Sequence, residues 1–175
     1  MARLALLVGA TFLMAATKWA CVSNTMDPID NADDSDATFL CTLTLHSTSA
    51  GTTASFVFGE PIRFDLEVRN LTGRTVQVQF DDAQIYDFVV VDAGSSRVHW
   101  QWSANLAFAQ MLSEQTFVPH SSKTFSYTWN GQLEDGSQLP AGSYRARGVM
   151  VFDEFFADPL APGEMGSALQ SFTVR

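Results

Sequence analysis

Basic residues are scarce in this chain. Only 10 Lys and Arg stand against 19 Asp and Glu in 175 residues, a net charge of −9. Without a broad basic surface nothing draws a phosphate backbone, so nucleic-acid partners are excluded. Cysteine is scarcer still, with Cys21 and Cys41 alone, which rules out a disulfide-dense scaffold. No CxxC pair occurs, and His46, His99 and His120 are far apart in sequence, so no zinc or other metal site is read. Also missing are the GxSxG elbow, the P-loop, a GxGxxG after a strand and HExxH. With neither an activated nucleophile nor a cofactor cradle, the chain is read as non-enzymatic and cofactor-free. Charge is thin at 17%, but 46% of residues are hydrophobic and 12% aromatic, including 14 Phe and 4 Trp. That composition belongs to one packed domain, not to a disordered chain. Repeats, heptads and low-complexity tracts do not occur.

The longest apolar run is at the N-terminus. Arg3 precedes Leu4 to Ala16, a stretch too short to span a bilayer as a helix but of the length and charge order of an export signal. The expected division is a signal over 1–20, with Ala20-Cys21 as a candidate lipoprotein junction. Cys21 is then the candidate lipidation and membrane-attachment residue, although Lys18 and Trp19 stand where Leu and a small residue are usual. A soluble secreted product is the alternative. Residues 21–37 follow as an acidic tether: Asp27, Asp30, Asp33, Asp34 and Asp36 have no basic residue among them and keep such a segment extended. The acid spacing lacks the Gly and distant Glu of a calcium loop. The expected location is the cell envelope, periplasmic or membrane-anchored, or the medium. Cys41 lies in the alternating run Phe39, Cys41, Leu43, Leu45 and is expected to be a small, buried free thiol; the alternative is a bridge to Cys21 in an exported chain, which lipidation of Cys21 would forbid.

From Phe39 onward the hydrophobic period is two. Ile62, Phe64, Leu66 and Val68 interleave with Arg63, Asp65, Glu67 and Arg69, the pattern of a half-buried strand. Asn70 to Gly73 supplies turn residues before Val76, Val78 and Phe80, which predicts a hairpin between these two segments. A second hairpin is predicted for 84–92 and 98–102, with Val98, Trp100 and Trp102 on one side and His99 on the other. Strands are further expected through Phe125, Tyr127 and Trp129, through Tyr144 to Met150, and at Gln170 to Val174. Only Ala104 to Leu112 carries enough helix formers for a short helical connection, and 153–167 is a long Pro- and Gly-containing loop. Strands without intervening helices must pair antiparallel, and an aromatic inner face calls for a second layer. The fold class is therefore all-β, an antiparallel β-sandwich over 38–175.

Several blocks, in order, resemble the BsuPI-type proteinase-inhibitor domain family. They are Phe58-Gly59-Glu60-Pro61-Ile62, Val68-Arg69-Asn70-Leu71-Thr72, Tyr86-Asp87-Phe88 and Val98 to Ser103, then Phe108, Gln110, Trp129 and Leu139 to Tyr144. The resemblance covers roughly 56–150. It implies an immunoglobulin-like sandwich of about seven to eight strands, and a protein partner, a serine proteinase, blocked by a loop. The export signal departs from the family's intracellular setting.

An inhibitor needs a segment already held in its bound shape. The sequence offers two candidates: the connection 103–115, with Met111 and Leu112 as pocket residues, and the loop 153–167, with Phe155, Phe156 and Leu160. For any one of these residues, covering an open end of the sandwich is the favoured role, and the inhibitory loop is left unassigned. The alternative function is an envelope interaction or assembly module without inhibitory activity, binding through a strand edge or end loops.

Overall fold

A computed structural model describes residues 21–22, 37–48, 50–151 and 166–175. The expected signal 1–20 and most of the acidic tether lie outside these residues, as do Phe155, Phe156 and Leu160 of the second candidate loop.

Alternation becomes pleat where the sequence is most regular. In β5 (Ile62–Asn70) every second side chain is buried, and the same holds in β2 (Phe39–Ser47), which pairs with it antiparallel over its whole length, Phe39 opposite Asn70 and Ser47 opposite Ile62. On the other side of β5 lies β10 (Ser122–Trp129), also antiparallel, with Trp129 opposite Ile62. Two short strands border β2: β1 (Cys21–Val22), parallel, with Cys21 beside Phe39, and β3 (Gly51–Thr52), antiparallel. The second sheet runs β4-β12-β11-β7-β8, made of β4 (Ser55–Phe56), β12 (Gln170–Val174), β11 (Gly142–Met150), β7 (Tyr86–Asp92) and β8 (Val98–Gln101). Its central strands are buried on both faces: Asp87 to Val91 in β7 and Ala146 to Met150 in β11.

The seven longer strands of the two sheets form the immunoglobulin-like body. The inner faces meet on Phe64, whose ring lies 5.4 Å from Phe88, 5.7 Å from Trp100 and 6.4 Å from Trp129. Trp100 and Trp129 stack at 4.6 Å and are almost wholly buried. At the entrance to β11 the buried Tyr144 donates its hydroxyl to the Pro140 carbonyl at 2.8 Å, the tyrosine-corner bond of immunoglobulin sandwiches. Gly142 is small because a Cβ there would be 3.1 Å from that hydroxyl oxygen.

Three local expectations are corrected. The segment Val76–Phe80, β6, does not fold back on β5. It pairs with β9 (Ser113–Phe117) as a separate two-stranded ribbon. The reason is Asn70: fully buried, its Nδ2 donates to the carbonyls of Arg74, Phe117 and Val118 at 2.8, 3.1 and 3.2 Å, and its Oδ1 accepts from the Thr72 amide at 2.9 Å. These bonds turn the chain away from β5 and toward β9. Ala104 to Leu112 is not helical. Four turn residues follow Gln101, and the segment is pinned from outside by the Ala83 amide on the Ala109 carbonyl at 3.0 Å. Finally, Cys41 is buried as expected, but it is disulfide-bonded and not a free thiol. The chain's one other cysteine is Cys21.

Candidate functional site

The register defines two ends of the sandwich. Phe39, Asn70 and Ser122 lie at one, here the leader end because Cys21 pairs there; Ser47, Ile62 and Trp129 lie at the other, the far end. Loops at each end expose large apolar side chains.

Met111 and Leu112 lie on the connection between β8 and β9. Both are strongly exposed, on a connection built by three contacts. Buried Asp87 accepts from the Ser103 hydroxyl at 2.5 Å, the Gln101 amide at 2.7 Å and the Ser103 and Phe88 backbone N–H groups. Phe108 packs on Trp102 at 5.6 Å, which itself stacks on Tyr86 at 4.8 Å. Ser113 donates its hydroxyl to the Asp82 carbonyl at 2.8 Å. Burial holds the Asp87 carboxyl above its ordinary range, against the lowering pull of those hydrogen bonds. The loop is therefore anchored at both roots, while its tip is held by the Met111 amide on the Ala109 carbonyl at 2.9 Å.

The far end carries a site that the sequence reading used only as a piece of the resemblance. Phe56 is in the core, 5.8 Å from Phe172, and strict alternation would send Phe58 inward beside it. Instead the chain turns: the Glu60 amide donates to the Val57 carbonyl at 2.9 Å, and Gly59 has φ 76°, the left-handed third position of a type II turn. A Cβ on Gly59 would meet nothing within 4 Å, so glycine serves the backbone angle there, not space. The Glu60 carboxylate accepts from the Val57 amide at 3.0 Å and from the Ser47 hydroxyl. The Phe58 amide donates to the Arg175 carbonyl at 2.8 Å. Val57 and Phe58 are left 61% and 56% exposed. Gly59 before Glu60-Pro61 was the signal available in the sequence.

Beside β8, at the same end, Arg97, Val98, His99, Trp100, Leu133, Glu134 and Asp135 line an open hollow of about 270 Å³. A bulge between Val90 and Val91 sets Val91 opposite Val98 and Val90 opposite Trp100. Val98 consequently turns outward, unlike the one-sided row expected, and His99 sets its ring edge on Tyr144 at 5.3 Å. Backbone bonds from Ser95 and Gly94 hold the Asp92 carboxyl below its ordinary range, and Ser137 does the same for Asp135.

One constellation outlines a catalytic row. His46 lies 3.1 Å from Asp65 through Nε2 and 3.2 Å from Thr52 Oγ1 through Nδ1. It lies along the outer face of the first sheet, where Arg63 also holds Asp65 at 2.9 Å. Among the described residues no group of three or more His, Cys, Asp or Glu side chains is placed to hold a metal ion.

A family model described as BsuPI, intracellular proteinase inhibitor, matches residues 50–155. No curated protein matches the chain. Among solved structures, the CARDB domain of the PF1109 protein from Pyrococcus furiosus is 13% identical, over 77% of this chain and 87% of that one, with a TM-score of 0.39. The C-terminal domain of wzt is 7% identical over 76% and 70%, with a TM-score of 0.47. A β-glucosidase, EmGH1, from Erythrobacter marinus is 14% identical over 78% of this chain but only 15% of its own length, with a TM-score of 0.41.

Proposed function

The chain belongs to the BsuPI intracellular proteinase inhibitor family, and from that premise we propose that it is a non-catalytic protein-binding domain that blocks a serine proteinase with a preformed loop. The observation that carries the reading is the extent of the family match, which takes in the sandwich from Ala50 through β11 together with loops at both ends. Loops fixed by buried hydrogen bonds lose little conformational freedom on entering a partner's cleft, so their contact area converts to affinity more completely than that of a loose segment.

The setting we propose is extracytoplasmic. A half-cystine at Cys41 supports it, because disulfides persist mainly in oxidising compartments, and so does the leader's composition. Thioether formation at Cys21 would take the sulfur that a bridge from Cys41 to Cys21 requires, so the lipidated and bridged forms are alternative fates of the chain.

Titrating the purified full chain into a panel of serine proteinases tests the function. Stoichiometric, saturable inhibition without cleavage of the domain is expected. Absence of inhibition across the panel, together with capture of a non-proteinase partner, would replace this reading with the interaction-module alternative.

A further inference from the structure

The geometry points to the Val57–Phe58 turn as the surface that meets the proteinase, with Phe58 filling an apolar pocket of that partner and Val57 covering its lip; this rests on the inhibitor reading. Two observations select it over the other exposed apolar residues.

The first is rigidity. The turn is closed on itself by the Glu60 amide, braced from within by the Glu60 carboxylate on the Val57 amide, and tied to both sheets: through Ser47 to β2 and through Arg175 to the end of β12. Arg175 returns a bond of its own, its amide donating to the Phe56 carbonyl at 3.0 Å. Such a turn is already ordered before binding. The Met111–Leu112 tip is more exposed but has fewer constraints, and methionine loses more rotamer freedom than phenylalanine.

The second is side-chain chemistry. An aromatic ring with two rotatable angles is a frequent anchor of interfaces, and leaving more than half of one in water serves no packing purpose in a sandwich whose other described phenylalanines are buried or partly buried. A chain of net −9 associates fastest with a basic surface, so a basic rim is expected on the partner whichever residue fills its pocket.

The turn does not mimic a substrate. The Phe58 amide is already bonded to Arg175 and cannot donate to the partner, so the contact is a knob in a hole and the peptide bonds flanking Phe58 are not presented for cleavage.

The test measures inhibition constants of the full chain, its Phe58→Ala and Gly59→Ala variants and a Met111→Ala/Leu112→Ala variant, each with its melting temperature. Phe58→Ala is expected to weaken inhibition about 30-fold or more with the melting temperature unchanged. Gly59→Ala, which keeps the ring but strains the turn, should weaken it less. Association should slow as salt rises. Inhibition by Phe58→Ala within threefold of the parent, or loss confined to the Met111→Ala/Leu112→Ala variant, overturns the assignment and leaves the inhibitor reading standing. A parent chain that inhibits no proteinase overturns both.

Discussion

Asn70 offers the sharpest test of how the loops are held, and Asn70→Asp is the informative change because it keeps the shape and reverses the donor. In the folded chain the Asn70 side chain is fully buried and its Nδ2 faces three carbonyl oxygens, those of Arg74, Phe117 and Val118. Each neutral hydrogen bond contributes about 1 kcal/mol net, and each buried polar atom left without a partner costs about 1–3 kcal/mol. Replacing the amide by a carboxylate removes both donor hydrogens and brings negative charge against the three oxygens. A loss of about 4 kcal/mol at pH 7 follows, against about 3 kcal/mol for Asn70→Ala, which removes the donors without adding charge. For a domain of this size that is a fall of roughly 10 °C in melting temperature. The pH dependence separates the two. A carboxyl among carbonyl oxygens favours its protonated form, so its folded-state pKa is raised. The native state of Asn70→Asp therefore binds more protons than its unfolded state, and stability returns as pH falls toward the ordinary carboxylate range. Urea unfolding of the three proteins at pH 7 and pH 5 measures all of this. Asn70→Asp within about 0.5 kcal/mol of the parent at pH 7, below the net value of even one such bond, would refute the account of Asn70 as the latch between the β5–β6 turn and β9.

Three further outcomes follow from the packing. Cys41→Ser should destabilise the domain by about 3 kcal/mol, the order expected for a loop of this length, and intact-mass measurement of the parent without reductant should find no free thiol on Cys41. Asp87→Asn isolates a buried carboxyl: because burial raises the Asp87 pKa above 3.8, the parent takes up a proton on folding in the window just above that value. The parent should then gain stability relative to Asp87→Asn as pH falls from 7 through that window, as melting curves across the range would show; the opposite slope would mean that the hydrogen bonds to the carboxylate outweigh its burial. Gly148→Ala places a Cβ 3.1 Å from both Leu66 and Phe88 in the centre of the sandwich and should cost about 1–3 kcal/mol in urea unfolding.

Much of the architecture was legible because a sheet with one wet face writes itself as alternation. β2, β5, β10 and β12 were each read from that period, and β7 and β8 from a hairpin with Gly and Ser at its turn. Alternation states which face a residue takes, not which strand it meets, and so β6 was assigned to β5 when Asn70 sends it to β9. β9 itself, Ser-Glu-Gln-Thr-Phe, has too few apolar residues to declare a strand; its partner imposes the conformation. Helix propensity in Ala104 to Leu112 lost to outside anchors, with Ser103 on Asp87 and Ala109 bonded to Ala83. The candidate loops were harder. Met111 and Leu112 are exposed, and the exposure of Phe58 depends on the φ of Gly59, which the sequence signals, and on a bond to Arg175, a contact distant in sequence that no local pattern encodes. The burial of Cys41 was readable from its neighbours; its oxidation was one of two fates the sequence left open.

The two ends of β2 also fix an orientation. Nine residues of strand set Ser47 roughly 30 Å from Phe39, so a support gripping the chain through its leader holds the Phe58 knob outward, clear of that support. Arg175 sits beside the knob, its carbonyl committed to the Phe58 amide. Polypeptide fused after Arg175 would depart directly beside the Phe58 turn, whereas a tag or bead coupled at the opposite pole would leave that turn open.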